Sequence, residues 1–333
     1  MPNAFCTLVD IDIPIVQAAM GGATCPEFAA AVSNAGGLGM LALAWSTPDA
    51  VRAEIRATKA LTRRPFGVNL VLTHAQEERL AICLVEGVPV ISFFWGQAGP
   101  LTAVAHRGGA KVLHTVPSAD AARIAVDDGA DAIVAQGWEA GGHVQGTVTT
   151  MALVPAVVDR VAPVPVLAAG GIADGRGLAA AMALGAAGAW IGTRFLASTE
   201  APIHPRYRDR LILAKETDTE YGTLFDIGWP PDAPQRTLRN ETIEAWESAG
   251  RPPAGRRPRE GAVVATSPRG DVVAYQAHTP RPDDHGDIDA LSMWSGQGVG
   301  LVRRAQPAAE IVREIFDEAL STSHRLATAF DGL

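Results

Sequence analysis

The feature that most restricts how this chain can fold is a repeat of short apolar runs. Runs rich in Val, Ile, Leu and Ala begin near Ile13 (IPIVQAAM), Gly37 (GLGMLALAW), Phe66 (FGVNLVL), Val88 (VPVISFFW), Ala110 (AKVLHTV), Ala130 (ADAIVAQG), Val164 (VPVLAAGG) and Ala186 (AAGAWIGT). Successive runs start 20 to 34 residues apart, and each ends near a glycine or a polar residue. Near-continuous apolar strands are the mark of parallel strands covered on both faces. Spacing of this size leaves room for one helix between each pair. Helix starts fall where they should: Thr47 with Pro48 precedes DAVRAEIRATKAL, and Ser118 precedes ADAARIAVDDG. Eight such units in series predict an α/β chain folded as a closed (β/α)8 TIM barrel. A doubly wound open sheet is the rival, but it usually has fewer strands.

The regularity stops after the eighth run. Residues 1–196 are expected to hold the barrel core and 197–306 an inserted, mainly helical cap with helices near 206–217 and 236–249. Residues 307–333, with the amphipathic run AAEIVREIFDEAL, are expected to supply the helix that closes the barrel. Such an insertion would lie over the C-terminal mouth, where barrel enzymes place their active sites.

Composition narrows the function. With 47% hydrophobic and 19% charged residues the chain is expected to bury a sizeable core, and a net charge of −8 provides no basic footprint for nucleic acid. The arginines of RPPAGRRPRE (251–260) have no interleaved aromatic residues and read as solvated surface. Cys6, Cys25 and Cys83 are odd in number and far apart, which supports neither a disulfide framework nor a zinc site. No signal peptide or membrane span is expected, and a reducing cytoplasm is the expected compartment.

Strand ends then converge on the mouth. The first run ends in Ala19, Met20 and Gly21; the third carries Asn69; the fifth ends in His114 and Thr115; the sixth delivers Gln136 and the loop Glu139–Ala140–Gly141–Gly142–His143. After the seventh and eighth runs stand Gly170, Gly171, Gly192 and Thr193. These are the usual phosphate loops of such barrels, where backbone N–H groups point at the anion. His143 is the one imidazole in a flexible glycine turn, and a side chain titrating near neutral pH there suits proton chemistry. His114, inside a strand run, is the second choice, and Trp294 could wall the pocket. The remaining histidines show no metal-ligand spacing.

PIVQAAMGG, AAVSNAGGLG, FGVNL, ADAIVAQGWEAGGH, VPVLAAGGIADGRG, GAAGAWIGTRFLAS and the late WSGQGVG together resemble the nitronate monooxygenase family of FMN-dependent barrel enzymes. The resemblance implies FMN contacts at Ala19, Met20, Asn69, Gln136, Ala140, Gly141, Gly171, Gly192 and Thr193, and the strand-end residues Gly21, Thr115 and Gly170 are expected at the same cofactor. It implies an active-site base or proton donor at His143; His114, Trp294 and Ser295 are expected beside the substrate. The expected reaction is oxidation of alkyl nitronates with O2; the alternative is an NAD(P)H-dependent FMN reductase of quinones or enoyl thioesters, and a homodimer is compatible with either. A barrel that binds a phosphate ligand without redox chemistry is a third possibility. Two departures bear on substrate: family members often continue EAGGHRG where this chain reads EAGGHVQG, and Trp294 stands where a tyrosine is common. A catalytic cysteine after the sixth strand, needed by flavin-like barrels that make guanine nucleotides, is absent from residues 137–163.

Overall fold

The computed structural model describes residues 3–331. Eight parallel strands form one sheet: Ile15–Gln17, Gly39–Ala42, Phe66–Val71, Val90–Phe94, Lys111–Val116, Ala132–Gln136, Val166–Ala169 and Gly188–Ile191. Each falls inside the corresponding apolar run. The ring shuts between the first two strands, where Leu38 N–H donates to Ile15 O (2.9 Å) and Gln17 N–H donates to Leu38 O (3.0 Å). The barrel interior is filled by Val16, Leu38, Met40, Val90, Leu113, Val134 and Leu167, all buried, and the helix Ala4–Val9 adds Phe5 and Val9 to the same cluster. The barrel is thus a packed core with its opening at the strand C-termini.

The helices form as their caps predict. Thr47 Oγ1 accepts from Ala50 N–H (3.3 Å) at the start of Pro48–Leu61, whose buried Val51, Ile55 and Thr58 follow helical spacing. Ser118 Oγ accepts from Ala121 N–H (3.2 Å) at the start of Ala119–Asp127. The last helix, Ala308–Asp331, takes the eighth helical place in the ring. It packs against Gly175–Ala183 and Pro26–Asn34, and Glu318 accepts from Gly175 N–H (2.8 Å). Only a glycine at 175 admits this approach, because a methyl group there would strike the backbone of Ile315 and Ala319.

Between the eighth strand and the last helix lies the insertion. It contains the helices Pro205–Leu213 and Glu241–Ser248 and, besides these, strands that the sequence does not announce. One three-stranded antiparallel sheet joins Thr219–Gly222, Gln235–Leu238 and the barrel loop Gly142–His143; another joins Gly270–Val273, Val263–Ser267 and His285–Gly286. The helix expected from 236 therefore starts at Glu241. Residues 235–238 are held extended by pairing on both sides, a tertiary choice that overrides local propensity. No helix among the described residues is long and apolar enough to cross a membrane.

Strand two lies unusually close to the helix Pro26–Asn34: a Cβ at Gly39 would collide with the backbone of Ala29. Gly39→Ala should lower stability by about 1 to 3 kcal/mol, the cost of overpacking a tight core contact. Urea unfolding of the purified variant measures it; an unchanged midpoint would show that strand and helix can part without penalty.

Candidate active site

The strand ends enclose one cavity of about 380 Å³, within the size range of small-molecule and cofactor sites. Its floor is made by Ala19, Met20 and Gly21 after the first strand, with Asn69, Thr115 and Gln136 from the third, fifth and sixth. These polar groups are held by the barrel. Asn69 donates to Ser92 O and to Ser92 Oγ (both 3.2 Å), and Gln136 Nε2 donates to His143 O (3.1 Å). One side is built from Ala140, Gly141, Gly170, Gly171, Gly192 and Thr193. Every residue expected at the cofactor thus lines the same cavity.

The glycine side is assembled by contact with the insertion. Gly141 and Gly296 pack backbone to backbone: a Cβ on Gly141 would collide with Gly296 N, and one on Gly296 would come within 2.6 Å of Glu139 O. Gln297 N–H donates to Glu139 O (2.9 Å), and Gly296 N–H donates to Thr193 Oγ1 (2.9 Å). Thr193 therefore anchors the late WSGQG segment by accepting, and its hydroxyl hydrogen remains for an acceptor of its own. Glu139, which the sequence places beside the glycines, is committed to structure. Its carboxylate accepts from Thr150 N–H (2.9 Å) and Thr150 Oγ1 (3.0 Å) and ties the loop to the next helix. Gly170 and Gly171 have φ of 105° and 72°, a left-handed backbone that favours glycine and turns the chain at the seventh strand end.

His143 stands over this floor. Its ring stacks on Trp229 with centroids 3.4 Å apart and planes 13° off parallel, while Trp95 meets it edge-on at 5.8 Å and Trp294 tilts against it at 5.3 Å. The surrounding indoles remove it from water, and burial pushes its pKa down to about 3. The near-neutral titration expected from the sequence is not what this environment produces. Its Nε2 is buried with no hydrogen-bond partner among the described residues. Trp95 holds φ at 63°, an uncommon conformation for a bulky side chain. Such local strain concentrates at functional sites.

Two expected substrate residues fall outside the cavity. His114 alternates with inward-facing Leu113 and Thr115 and so points into the layer between strands and helices. There its Nε2 bonds Gly96 O (2.9 Å), its ring lies 6.5 Å from the buried core residue Phe93, and burial lowers its pKa. Ser295 is fully buried and its Oγ turns back to Gly296 O (3.4 Å), so it serves the glycine contact rather than the substrate space. Trp294 does line the cavity, its Nε1 donating to Thr279 Oγ1 (3.0 Å). Sequence reasoning missed Trp45, Trp229 and Thr279. Trp229 and Thr279 belong to loops without periodicity, whereas Trp45 ends the second apolar run, GLGMLALAW, and could have been found with the other strand ends.

The arrangement finds close parallels among known proteins. The family model described as nitronate monooxygenase matches residues 3–81 and 72–318. A Mycobacterium tuberculosis protein named (3aS,4S,5R,7aS)-5-hydroxy-7a-methyl-1-oxo-octahydro-1H-indene-4-carboxyl-CoA dehydrogenase is 41% identical over 247 residues, covering 73% of this chain and 68% of the relative. The structure of FabK from Thermotoga maritima superposes with a TM-score of 0.83 at 33% identity, covering 99% of both chains. Nitroalkane oxidase from Streptomyces ansochromogenes superposes at 0.79 with 29% identity, covering 97% of this chain and 99% of that one. The sequence match along nearly the whole barrel and the shared architecture lead to one conclusion: the chain belongs to the nitronate monooxygenase family and is an oxidoreductase.

Proposed function

We propose that this protein binds FMN noncovalently and oxidises alkyl nitronates with O2 as electron acceptor. The observation that carries the reading is the single cavity in which a glycine-lined phosphate cradle and a desolvated imidazole face one floor of strand-end amides. The cradle fits a phosphate. Around Gly192 a Cβ would find only Ala18 and Met20, at 3.6 and 3.7 Å, so the backbone lies open to the cavity. One such cradle without a dinucleotide fingerprint suits FMN better than FAD. FMN, when bound, supplies the electron-accepting chemistry, which no side chain here could provide.

The chain's own residues then have definable tasks. Asn69 and Gln136, held by Ser92 and by the His143 carbonyl, present amides to a flat polar ring system. Trp229, Trp95 and Trp294 keep bulk water from the imidazole. His143 stays neutral at physiological pH and is a weak base there, so it suits hydrogen bonding to an oxygen of an anionic nitronate better than removal of an α-proton. A preformed nitronate has already lost that proton. A second reading, NAD(P)H-dependent reduction of quinones or enoyl thioesters by the same FMN, draws support from the relative whose name carries a CoA-linked acid.

Three outcomes test this. The protein should purify yellow, and Thr193→Val should weaken FMN binding by about 1 to 3 kcal/mol through loss of a hydrogen bond to a charged group; undiminished flavin retention on dialysis would remove Thr193 from the cradle. His143→Phe keeps a ring against Trp229 but removes its nitrogens. Turnover of nitronate and of the parent nitroalkane should then fall together, by about tenfold to a hundredfold, the worth of one hydrogen bond to a charged group. A loss confined to the nitroalkane would restore the base role. The depressed pKa also has a consequence for stability. Below the ordinary value of 6.5 the unfolded chain takes up a proton that the folded chain refuses until about 3, so stability declines as pH falls through that window. His143→Phe should lessen this decline, as urea midpoints at pH 7 and 4.5 would reveal; an identical decline would mean that the imidazole is hydrated in solution.

A further inference from the structure

The mouth of the cavity carries two arginines that nitronate chemistry does not use. Arg269 sits at the exposed turn between strands Val263–Ser267 and Gly270–Val273, and Arg281 follows two residues after Thr279. Thr279 fixes its loop to the barrel: its hydroxyl donates to Gly21 O (2.6 Å) and accepts from Trp294 Nε1. A Cβ on Gly22 would lie 3.0 Å from Thr279 Cβ, so this loop rests directly on the end of the first strand. Arg281 is further held through its backbone, whose N–H donates to the buried carboxylate of Asp284 (2.8 Å). Its guanidinium has Asp283 only at 3.9 Å. Across the mouth stand Trp45 and Glu54, the latter from the helix Pro48–Leu61. Burial raises the pKa of Glu54 and both arginines pull it back, so the three charges share one neighbourhood. Two guanidinium groups thus stand at the entrance to the cavity in a chain of net charge −8, set against the carboxylates of Glu54 and Asp283.

We propose that Arg269 and Arg281 bind the terminal phosphate of an elongated nucleotide ligand whose reactive end enters the cavity, the chemistry shared by a CoA thioester and NADPH. Two guanidinium groups on separate loops match a phosphate monoester, which offers several acceptor oxygens to planar donor pairs. The flavin phosphate does not compete for them, because its cradle belongs to the ends of strands seven and eight. The site gives the cavity a co-substrate that a small nitronate does not need, so it stands or falls independently of nitronate turnover.

Calorimetric titration of the FMN-loaded protein with four probes tests the assignment: CoA, 3′-dephospho-CoA, NADPH and NADH. The phosphate-bearing member of one pair should bind at least about tenfold more tightly than its counterpart. Preference within the CoA pair assigns the tail to a thioester, and preference within the nicotinamide pair assigns it to the reductant. Arg269→Ser and Arg281→Ser should each abolish most of that preference while the dephosphorylated probe binds as before, with FMN content per chain as the check on folding. Glu54→Gln, which removes one opposing charge, should enlarge the preference. Equal binding within both pairs, or a preference that survives both arginine substitutions, would overturn the proposal.

Discussion

The site depends on one close contact, backbone against backbone, between Gly141 in the loop after strand six and Gly296 in the late insertion. Side chains at either position would force the two segments apart by more than a hydrogen bond can tolerate. With both as glycine, Gln297 reaches Glu139 and Gly296 reaches Thr193, so two strand-end loops and the insertion are fastened together. His143 lies two residues beyond Gly141 and is held further by pairing with Gln235. The glycine-lined side of the cavity and the imidazole are therefore parts of one assembled unit. Rigid second-layer support of this kind is what holds a reacting group in register.

The insertion also determines the electrostatics. Trp229 and Trp294 arrive from it, while Trp95 comes from the barrel; together they strip water from His143. A histidine in an open glycine loop would titrate near 6.5, whereas this one is driven to about 3. A neutral imidazole can donate or accept a hydrogen bond throughout the physiological pH range.

Most of the barrel was legible in the sequence because parallel strands buried on both faces write themselves as apolar runs, and capping residues such as Thr47 and Ser118 act within one helical turn. The cavity floor was legible for a related reason: strand ends must face the mouth, so Asn69, Thr115 and Gln136 follow once the strands are placed. The side of a strand on which a residue emerges is less visible. His114 and Thr115 are neighbours in the chain, yet only Thr115 turns inward, since alternate residues point to opposite faces.

What the sequence determined by itself is local or periodic: eight strand–helix units, their caps, the glycine turns at strands seven and eight, and the identity of His143 as the loop imidazole. What only the tertiary structure decided is everything that long-range approach creates. The strand at Gln235–Leu238 exists because partners on both sides hold it extended, against the helix that its neighbours favour. Ser295 is turned away by a glycine contact more than 150 positions distant in the chain, and Trp229 finds His143 across an aperiodic insertion. Desolvation, and with it the protonation state of the imidazole, depends on which side chains surround a group in space, and no spacing rule within the chain encodes that.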